Sequence, residues 1–344
     1  MIALLTSNSR ESVNKAKELT NACLELKIKC HTYYDTNFNK NDYELIIPCS
    51  DKFGDNGHLV SKSQSYHLIS KCGFDILPYY LIDNIKDLDR CKIQGEIFVK
   101  PDASSAVHSV HSWGYQKFNS VKDFKTYLID NNYINEFNSS YIKYIVMPFI
   151  QHDGVYTFSL IQRKDCVSTF AKMYMAISDG GFFYDYAYYQ DYEIDLSPCN
   201  NFWKNGLRNN LIYIQTIKHN NKFYPIDINC RLSTYLDTLA THYDKTFYKN
   251  IILFLLKKIN SLNINLPSKH TLIGRVKSNP FKQITNLKWN NIEGVDTLNF
   301  NKLSMPNANY DKAYSWLTYV VRGETNQETF YKKDLFLSNI SFNQ

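Results

Sequence analysis

"YPIDINCRLS", residues 224–233, sets Asp227, Asn229 and Arg231 at alternate positions in an otherwise apolar segment. In a β-strand, residues i, i+2 and i+4 share one face. A carboxylate, an amide and a guanidinium would therefore project together. A carboxylate and an amide oxygen are hard ligands suited to magnesium held with substrate phosphates, and a guanidinium fork pairs with phosphoryl oxygens. A solvated face of an edge strand would give the same pattern, so the surrounding segments have to decide between the two.

Just upstream, "HNN" at 219–221 reads as a turn joining this strand to "LIYIQTIK". Antiparallel pairing across it could bring Gln215 alongside Asp227. Before that, "WKNGLRNN" reads as helical, and "GVYTFSLIQ" and "CVSTFAKMYMA" as a hairpin turning near Arg163–Asp165. "IFVKPDASSAVHSV" (97–110) ends an apolar strand on Lys100, then runs into a proline and a loop of small residues. A lysine there can reach nucleotide phosphates from a fixed position. "YIVMPFI" (144–150) is an apolar strand and connector whose backbone groups can read an adenine edge. Lys172, on the strand after the hairpin, is a third cation that could reach the same cleft.

The chain opens as strand, helix, strand: "MIALLTS", then Val13, Ala16, Leu19, Cys23 and Leu26 at helical spacing through residue 29, then "YELIIPCSD". This implies a small α/β unit with a parallel sheet. "SKSQSYHLISKC" is a helix stopped by Gly73. The segment "SDGGFFYDYAYYQDYEIDL" (178–196) reads as a loop, either an acceptor-binding lid using Asp185 and Tyr186 or aromatics packed on a sheet. The tail beyond 260 is rich in strand and Asn.

Composition bounds the alternatives. With 344 residues and 44% hydrophobic content the chain can bury the cores of two or three domains. The net charge of +6 is spread along the chain with no long basic run, which argues against a nucleic-acid footprint. No stretch approaches the ~18 apolar residues of a membrane span. The N-terminus lacks the charged flank of a secretory signal. Eight scattered cysteines without zinc-type spacing read as reduced thiols, so a cytoplasmic location is expected.

Taken in order, these segments resemble the ATP-grasp enzymes, and among them the carboxylate–amine ligases, including the pyrrolysine-biosynthesis ligase type and the large chain of carbamoyl-phosphate synthetase. "IIPCSD" matches the pre-ATP-grasp domain, "SKSQSYHLISKCGFDILPYY" the D-K-x-x-x-x-x-L-x-x-x-G-I-x-x-P helix, and "FVKP" the V-K-P strand. "YIVMPFIQHDGVYTFSLI" stands for Q-E-[FY]-I followed by Y-[ST], and "YPIDINCRLS" for E-I-N-x-R. The resemblance implies an α/β and α+β chain. A short pre-ATP-grasp domain would occupy residues 1–60 and the ATP-grasp domain 61–260, with a small lobe at about 80–150 and a large lobe at about 150–260. A strand-rich segment, 261–344, would complete that domain or form a small β unit.

The resemblance also implies the site. Lys62, Lys100, Ser104 and Ser105 would contact nucleotide phosphates, and Met147, Phe149 and Ile150 would hold adenine. Gln215, Asp227 and Asn229 would hold Mg2+, and Arg231, aided by Lys172, would stabilise the transferred phosphoryl group. The implied reaction joins a small-molecule carboxylate to an amine through an acylphosphate, with ATP giving ADP, in a possible homodimer. The chain departs from the pattern at its phosphate loop, which holds no glycine until Gly114, at Pro148 and Ser159, and at Asp227 in place of Glu. Nucleotide binding without turnover, or phosphorylation of a small hydroxyl compound, are the competing readings. Because Asn is close to Asp in volume, Asp227→Asn is expected to leave the fold intact.

Overall fold

The computed structural model describes all residues except 9, 51–60, 104–114, 141–142, 153, 178–183, 190–191, 232–233, 266–269, 279–283, 288–291, 301–313 and 343–344. Three stretches of chain build the four sheets in turn, and the site lies where α2 and β5 of the second stretch meet β12 of the third.

The first stretch holds β1 (Ile2–Leu5), α1 (Arg10–Glu25), β2 (Cys30–Tyr33) and β3 (Leu45–Pro48). β1 is central and parallel to both neighbours. All four of its side chains are buried, as expected for a parallel strand covered on both faces. Ala16, Leu19, Ala22 and Cys23 seat α1 on the core at helical spacing. The helix stops at Glu25, four residues before the expected end, and Lys27 takes a left-handed φ of 55°. β2 was not legible, because "CHTY" is short and only partly apolar.

Next come α2 (Lys62–Cys72) and β4 (Tyr80–Ile82), β5 (Ile97–Pro101), β6 (Gln116–Phe118), α3 (Val121–Asp130), α4 (Ile134–Ser139) and β7 (Tyr144–Pro148). Ser61 caps α2 by accepting from the Gln64 amide, and Gly73 ends it at φ 110°, a conformation that penalises any Cβ. The strands form an antiparallel sheet in the order β4-β7-β5-β6. Alternation sorts its side chains. Ile97, Val99, Tyr144 and Val146 pack with Phe124, Leu128 and Phe137 of α3 and α4. Phe98, Ile145 and Met147 join the main core instead, and Lys100 lies on that same side by strand period.

The third stretch supplies β8 (Gly154–Arg163), β9 (Cys166–Ile177), β10 (Tyr184–Tyr189), β11 (Leu211–His219), β12 (Lys222–Asn229), α5 (Thr234–Tyr243), α6 (Phe247–Leu255), β13 (Thr271–Ser278), β14 (Ile284–Leu287), β15 (Val295–Phe300), β16 (Tyr314–Arg322), α7 (Asn326–Ser338) and β17 (Ile340–Phe342). Eight of these strands make one sheet, β12-β11-β8-β9-β10-β13-β16-β15, and β14 pairs with β17. The β8–β9 hairpin turns at Lys164–Asp165, as read from the sequence. Gly154 opens β8 where a Cβ would lie 2.4 Å from the Tyr174 ring.

Two readings are corrected. The helix expected at "WKNGLRNN" is a run of turns after a 3-10 segment, Ser197–Asn201; Gly206 at φ 99° and flanking asparagines break it. The aromatic part of the 178–196 loop is strand β10, held between β9 and β13. There Tyr186 packs on the Phe330 ring with the Lys333 ammonium 4.7 Å from its centroid, which makes it a packing residue. The remainder of that loop's centre lies outside the described residues, as does the Asp185 side chain.

α1 is tied to the third stretch by buried Lys15, 3.3 Å from Asp237 of α5. Tyr248 of α6 donates to the same carboxylate.

Candidate functional site

The register of the β11–β12 hairpin makes the site. Asn220 and Asn221 both have positive φ, 49° and 59°, the two-residue turn that matches strand twist. From that turn His219 pairs with Lys222 and Thr216 with Pro225. Continued unbroken, the ladder would set Gln215 opposite Ile226 and turn Asp227 to the other face. Instead the register shifts after Thr216, and Gln215 pairs with Asp227 and Tyr213 with Asn229. Ile226 is the extra residue of a β-bulge. Pro225 beside it has no N–H to give the ladder, and β12 is an edge strand, where both proline and bulges are tolerated. The bulge gathers Asp227, Asn229, Gln215 and Tyr213 on one face. It also leaves the Ile226 carbonyl free to accept bonds from outside the sheet.

Two lysines come to this point from different elements. Lys62, the first residue of α2, pairs with Asp227 Oδ1 and is 8% exposed. Lys100, on β5, is 4% exposed and donates from Nζ to the Ile226 carbonyl at 2.5 Å and to the Tyr66 hydroxyl. Burial, and then the charge of Lys62, push the Lys100 ammonium down to about 7, against the opposing pull of Asp227 and Asp102. Burial alone would raise Asp227, but the two ammoniums outweigh it and hold its carboxyl below the usual range. Asp227 is therefore a carboxylate, with 23% of its side chain exposed. Asn229 Nδ2 lies 3.5 Å from Asp227 Oδ2, and Gln215 Nε2 donates to the Tyr213 hydroxyl at 3.3 Å.

β12 ends at Asn229, so Arg231 stands on the bend beyond it, half-buried. On the opposing sheet Met147 is buried two residues along β7 from Ile145, the partner of Lys100. Phe149 and Ile150 follow, half-buried; the Phe149 amide donates to the Glu96 carbonyl, and the Lys117 ammonium lies 4.5 Å from its ring centroid. Lys172, on β9, pairs with Phe158 of β8, but its side chain lies outside the described residues, as do Ser104 and Ser105.

Two contributors went unread in the sequence. Asp102, directly after the V-K-P strand, accepts from the Ser63 amide at 2.6 Å, Ser63 Oγ at 2.8 Å and Ser61 Oγ at 3.0 Å. A carboxylate at the N-terminus of α2 meets its unsatisfied amides and its dipole, and it ties the start of the phosphate-loop segment to the helix that carries Lys62. Tyr66 is the other. Its signal was present: it stands four residues after Lys62, one helical turn away on the same face.

The donor set fits Mg2+. One ionised carboxylate and two amides on one face offer oxygen ligands but too few for a closed cage, which suits a cation shared with substrate phosphates. Asp227, Asn229 and Gln215 would hold it, with the buried Lys62 and Lys100 beside them.

No protein-family model matches the chain, and no curated protein does. Solved structures do, along nearly the whole length. The biotin carboxylase domain of 2-oxoglutarate carboxylase from Hydrogenobacter thermophilus, solved with MgADP and bicarbonate, superposes with a TM-score of 0.69 at 10% identity, covering 99% of this chain and 90% of that one. L-amino acid ligase from Bacillus licheniformis gives 0.63 at 10% identity, covering 99% and 98%. Phosphoribosylamine–glycine ligase from Thermotoga maritima gives 0.63 at 12% identity, covering 99% and 97%. These define the class: the chain has the ATP-grasp fold. Two of these neighbours are named as ligases, one of L-amino acids and one of phosphoribosylamine with glycine. Among the described residues, no helix is long and apolar enough to cross a membrane.

Proposed function

We propose that the protein is an ADP-forming ligase that activates a small-molecule carboxylate with Mg-ATP and joins it to an amine. One observation carries this reading: the β12 bulge brings Asp227, Asn229 and Gln215 together, directly against two buried lysines from α2 and β5. A buried lysine pair beside a single partly exposed carboxylate is an arrangement that anionic oxygens would complete.

In this reading Lys62 and Lys100 receive nucleotide phosphates, with Lys62 exchanging Asp227 for phosphoryl oxygen. Asp227, released from that ion pair, Asn229 and Gln215 hold Mg2+, which when bound draws charge from the transferring phosphoryl group. Met147, Phe149 and Ile150 line the adenine position. Arg231, just past the metal strand, would stabilise the charge that develops as the γ-phosphoryl of ATP passes to a carboxylate oxygen and ADP leaves. Lys172, Ser104 and Ser105 keep the roles that the resemblance implies. The amine nitrogen then attacks the acylphosphate carbon, phosphate leaves, and the nitrogen loses a proton. The substrates are a carboxylate and an amine, an amino acid being the expected class; the dimer in which the biotin carboxylase domain was solved supports a homodimer, and a cytoplasmic setting is the expectation from the sequence.

The test is ADP release from Mg-ATP with pooled amino acids and small carboxylates, comparing wild type with Asp227→Asn under conditions where both are folded by circular dichroism. Release that requires a particular pool, and is lost in the variant, is the expected result. Failure of wild type to bind ATP at all would overturn the reading. A stable phosphorylated product without amide formation would replace the ligase with a kinase.

A further inference from the structure

Tyr66, on α2, contacts both β5 and β12 at the site. It is 2% exposed on the inner face of α2, one turn from Lys62. Its hydroxyl proton goes to the Ile226 carbonyl at 2.5 Å, and its oxygen accepts from Lys100 Nζ, which itself donates to the same carbonyl at 2.5 Å. The three atoms close a triangle: helix hydroxyl, strand ammonium, bulge carbonyl. The Lys100 ammonium also lies 5.0 Å from the centroid of the Tyr66 ring, within cation–π range. Behind it the Tyr79 ring stands 5.5 Å away, and Tyr79 donates to the Ser63 carbonyl in the first turn of the same helix. Burial, and then the Asp227 charge, hold the Tyr66 phenol well above its ordinary value, so it is a neutral donor.

We propose that Tyr66 is a positioning residue, which fixes the Lys100 ammonium on the bulge carbonyl of Ile226 and so presents it in one place to the nucleotide phosphates; this rests on the nucleotide-site reading above. The reason is entropic. A lysine stem has four rotatable bonds and a compact charge with no preferred direction of approach. Anchored at two acceptors, the side chain is already ordered when the phosphate arrives, so binding does not have to order it. The third ammonium proton remains for the ligand. The bulge matters to the same end, since an Ile226 carbonyl engaged in a regular ladder would not be turned to these donors. Tyr66 thereby links the register of β12, which sets the metal carboxylate, to the position of a phosphate lysine on another sheet.

The experiment is a double-mutant cycle read as affinity for the magnesium complex of a non-hydrolysable ATP analogue, measured calorimetrically. Tyr66→Phe keeps the ring and removes one hydrogen bond to a charged group, so it should weaken binding by roughly 10-fold. In a Lys100→Met background the same change should weaken it by less than about 2-fold, because the group it positions is gone. In a Lys62→Met background the full factor should persist. An equal effect in all three backgrounds would make Tyr66 a general packing residue and overturn the proposal, as would full affinity in Tyr66→Phe. Wild type that binds no analogue would remove the nucleotide reading and this inference together. Wild type that binds, with Lys100→Met weakened and Tyr66→Phe unchanged, would remove the inference alone. A second measurement needs no Tyr66 variant. Nitrogen-15 spectra of lysine side chains in the unliganded protein at pH 6 should show, beside any signals of the buried, ion-paired Lys15 and Lys62, a slowly exchanging ammonium that disappears in Lys100→Met; the lack of any signal lost in Lys100→Met would also overturn the proposal.

Discussion

Asp227→Asn changes one atom and almost no volume, yet its neighbourhood makes it costly. The carboxylate is the ion-pair partner of Lys62 and draws on Lys100, and both lysines are buried. Removing one member of a buried pair typically costs about 3–5 kcal/mol, because the other charge is left uncompensated. Two features reduce that figure. The Asp227 side chain is 23% exposed, so water already screens part of the interaction. Lys100, already down at about 7, can shed its proton and limit its share. A net loss of roughly 2–3 kcal/mol remains, almost all of it from Lys62. At urea slopes of about 2–3 kcal/mol/M this lowers the midpoint by about 1 M. The variant is expected to keep the fold at this lower stability. The assay is urea unfolding followed by fluorescence at pH 7, on wild type, Asp227→Asn and Lys62→Met/Asp227→Asn. The double variant should recover at least half of the loss, because an apolar side chain of similar size replaces the orphaned charge. An Asp227→Asn midpoint equal to wild type, or a double variant no more stable than the single, would refute the reasoning.

Three further outcomes are expected. At pH 8 Lys100 is mostly neutral, in the joint field of Lys62, Asp227, Tyr66 and Asp102, whereas phosphate oxygens favour its charged form; Mg-nucleotide binding should therefore take up a fraction of a proton, seen as a binding heat that varies with the ionisation enthalpy of the buffer and is lost in Lys100→Met. The same depression, from the ordinary 10.5 to about 7, means the unfolded chain binds more protons between those values, so Lys100 makes stability rise with pH there by at most ~1.4 kcal/mol per pH unit, and Lys100→Met should flatten that slope in urea titrations at pH 7–9. Asp102→Ala strips three acceptor contacts from the start of α2 and should destabilise the protein by about 1–3 kcal/mol; equal urea midpoints for Asp102→Ala and wild type would remove the latch.

What the sequence determined by itself was whatever depends on neighbours along the chain. Alternation in "GVYTFSLIQ" and "CVSTFAKMYMA", Gly73 after a helical run, and two asparagines between strands each specify a strand, a stop or a turn locally, and each stands in the structure. The order of short motifs then sufficed for the fold. Failures fell where local signals were weak or contradictory. "CHTY" is too short to show a period, and "WKNGLRNN" contains a glycine and asparagines that outvote its helical residues.

The site itself was decided in three dimensions. Asp227, Asn229 and Gln215 were legible as residue types, but their sharing a face depends on one extra residue in β12, and a regular ladder would have parted Gln215 from Asp227. Pro225 was the only sign of that bulge in the sequence. Lys62, Lys100, Tyr66 and Asp102 lie between 34 and 165 residues from their partners. Nothing in a linear pattern encodes such meetings, because they arise from the packing of α2 and β5 against the edge strand. Burial then gives these residues their chemistry: in water Lys100 would titrate near 10.5, and only the low-dielectric cleft, with a second ammonium beside it, brings that value to about 7.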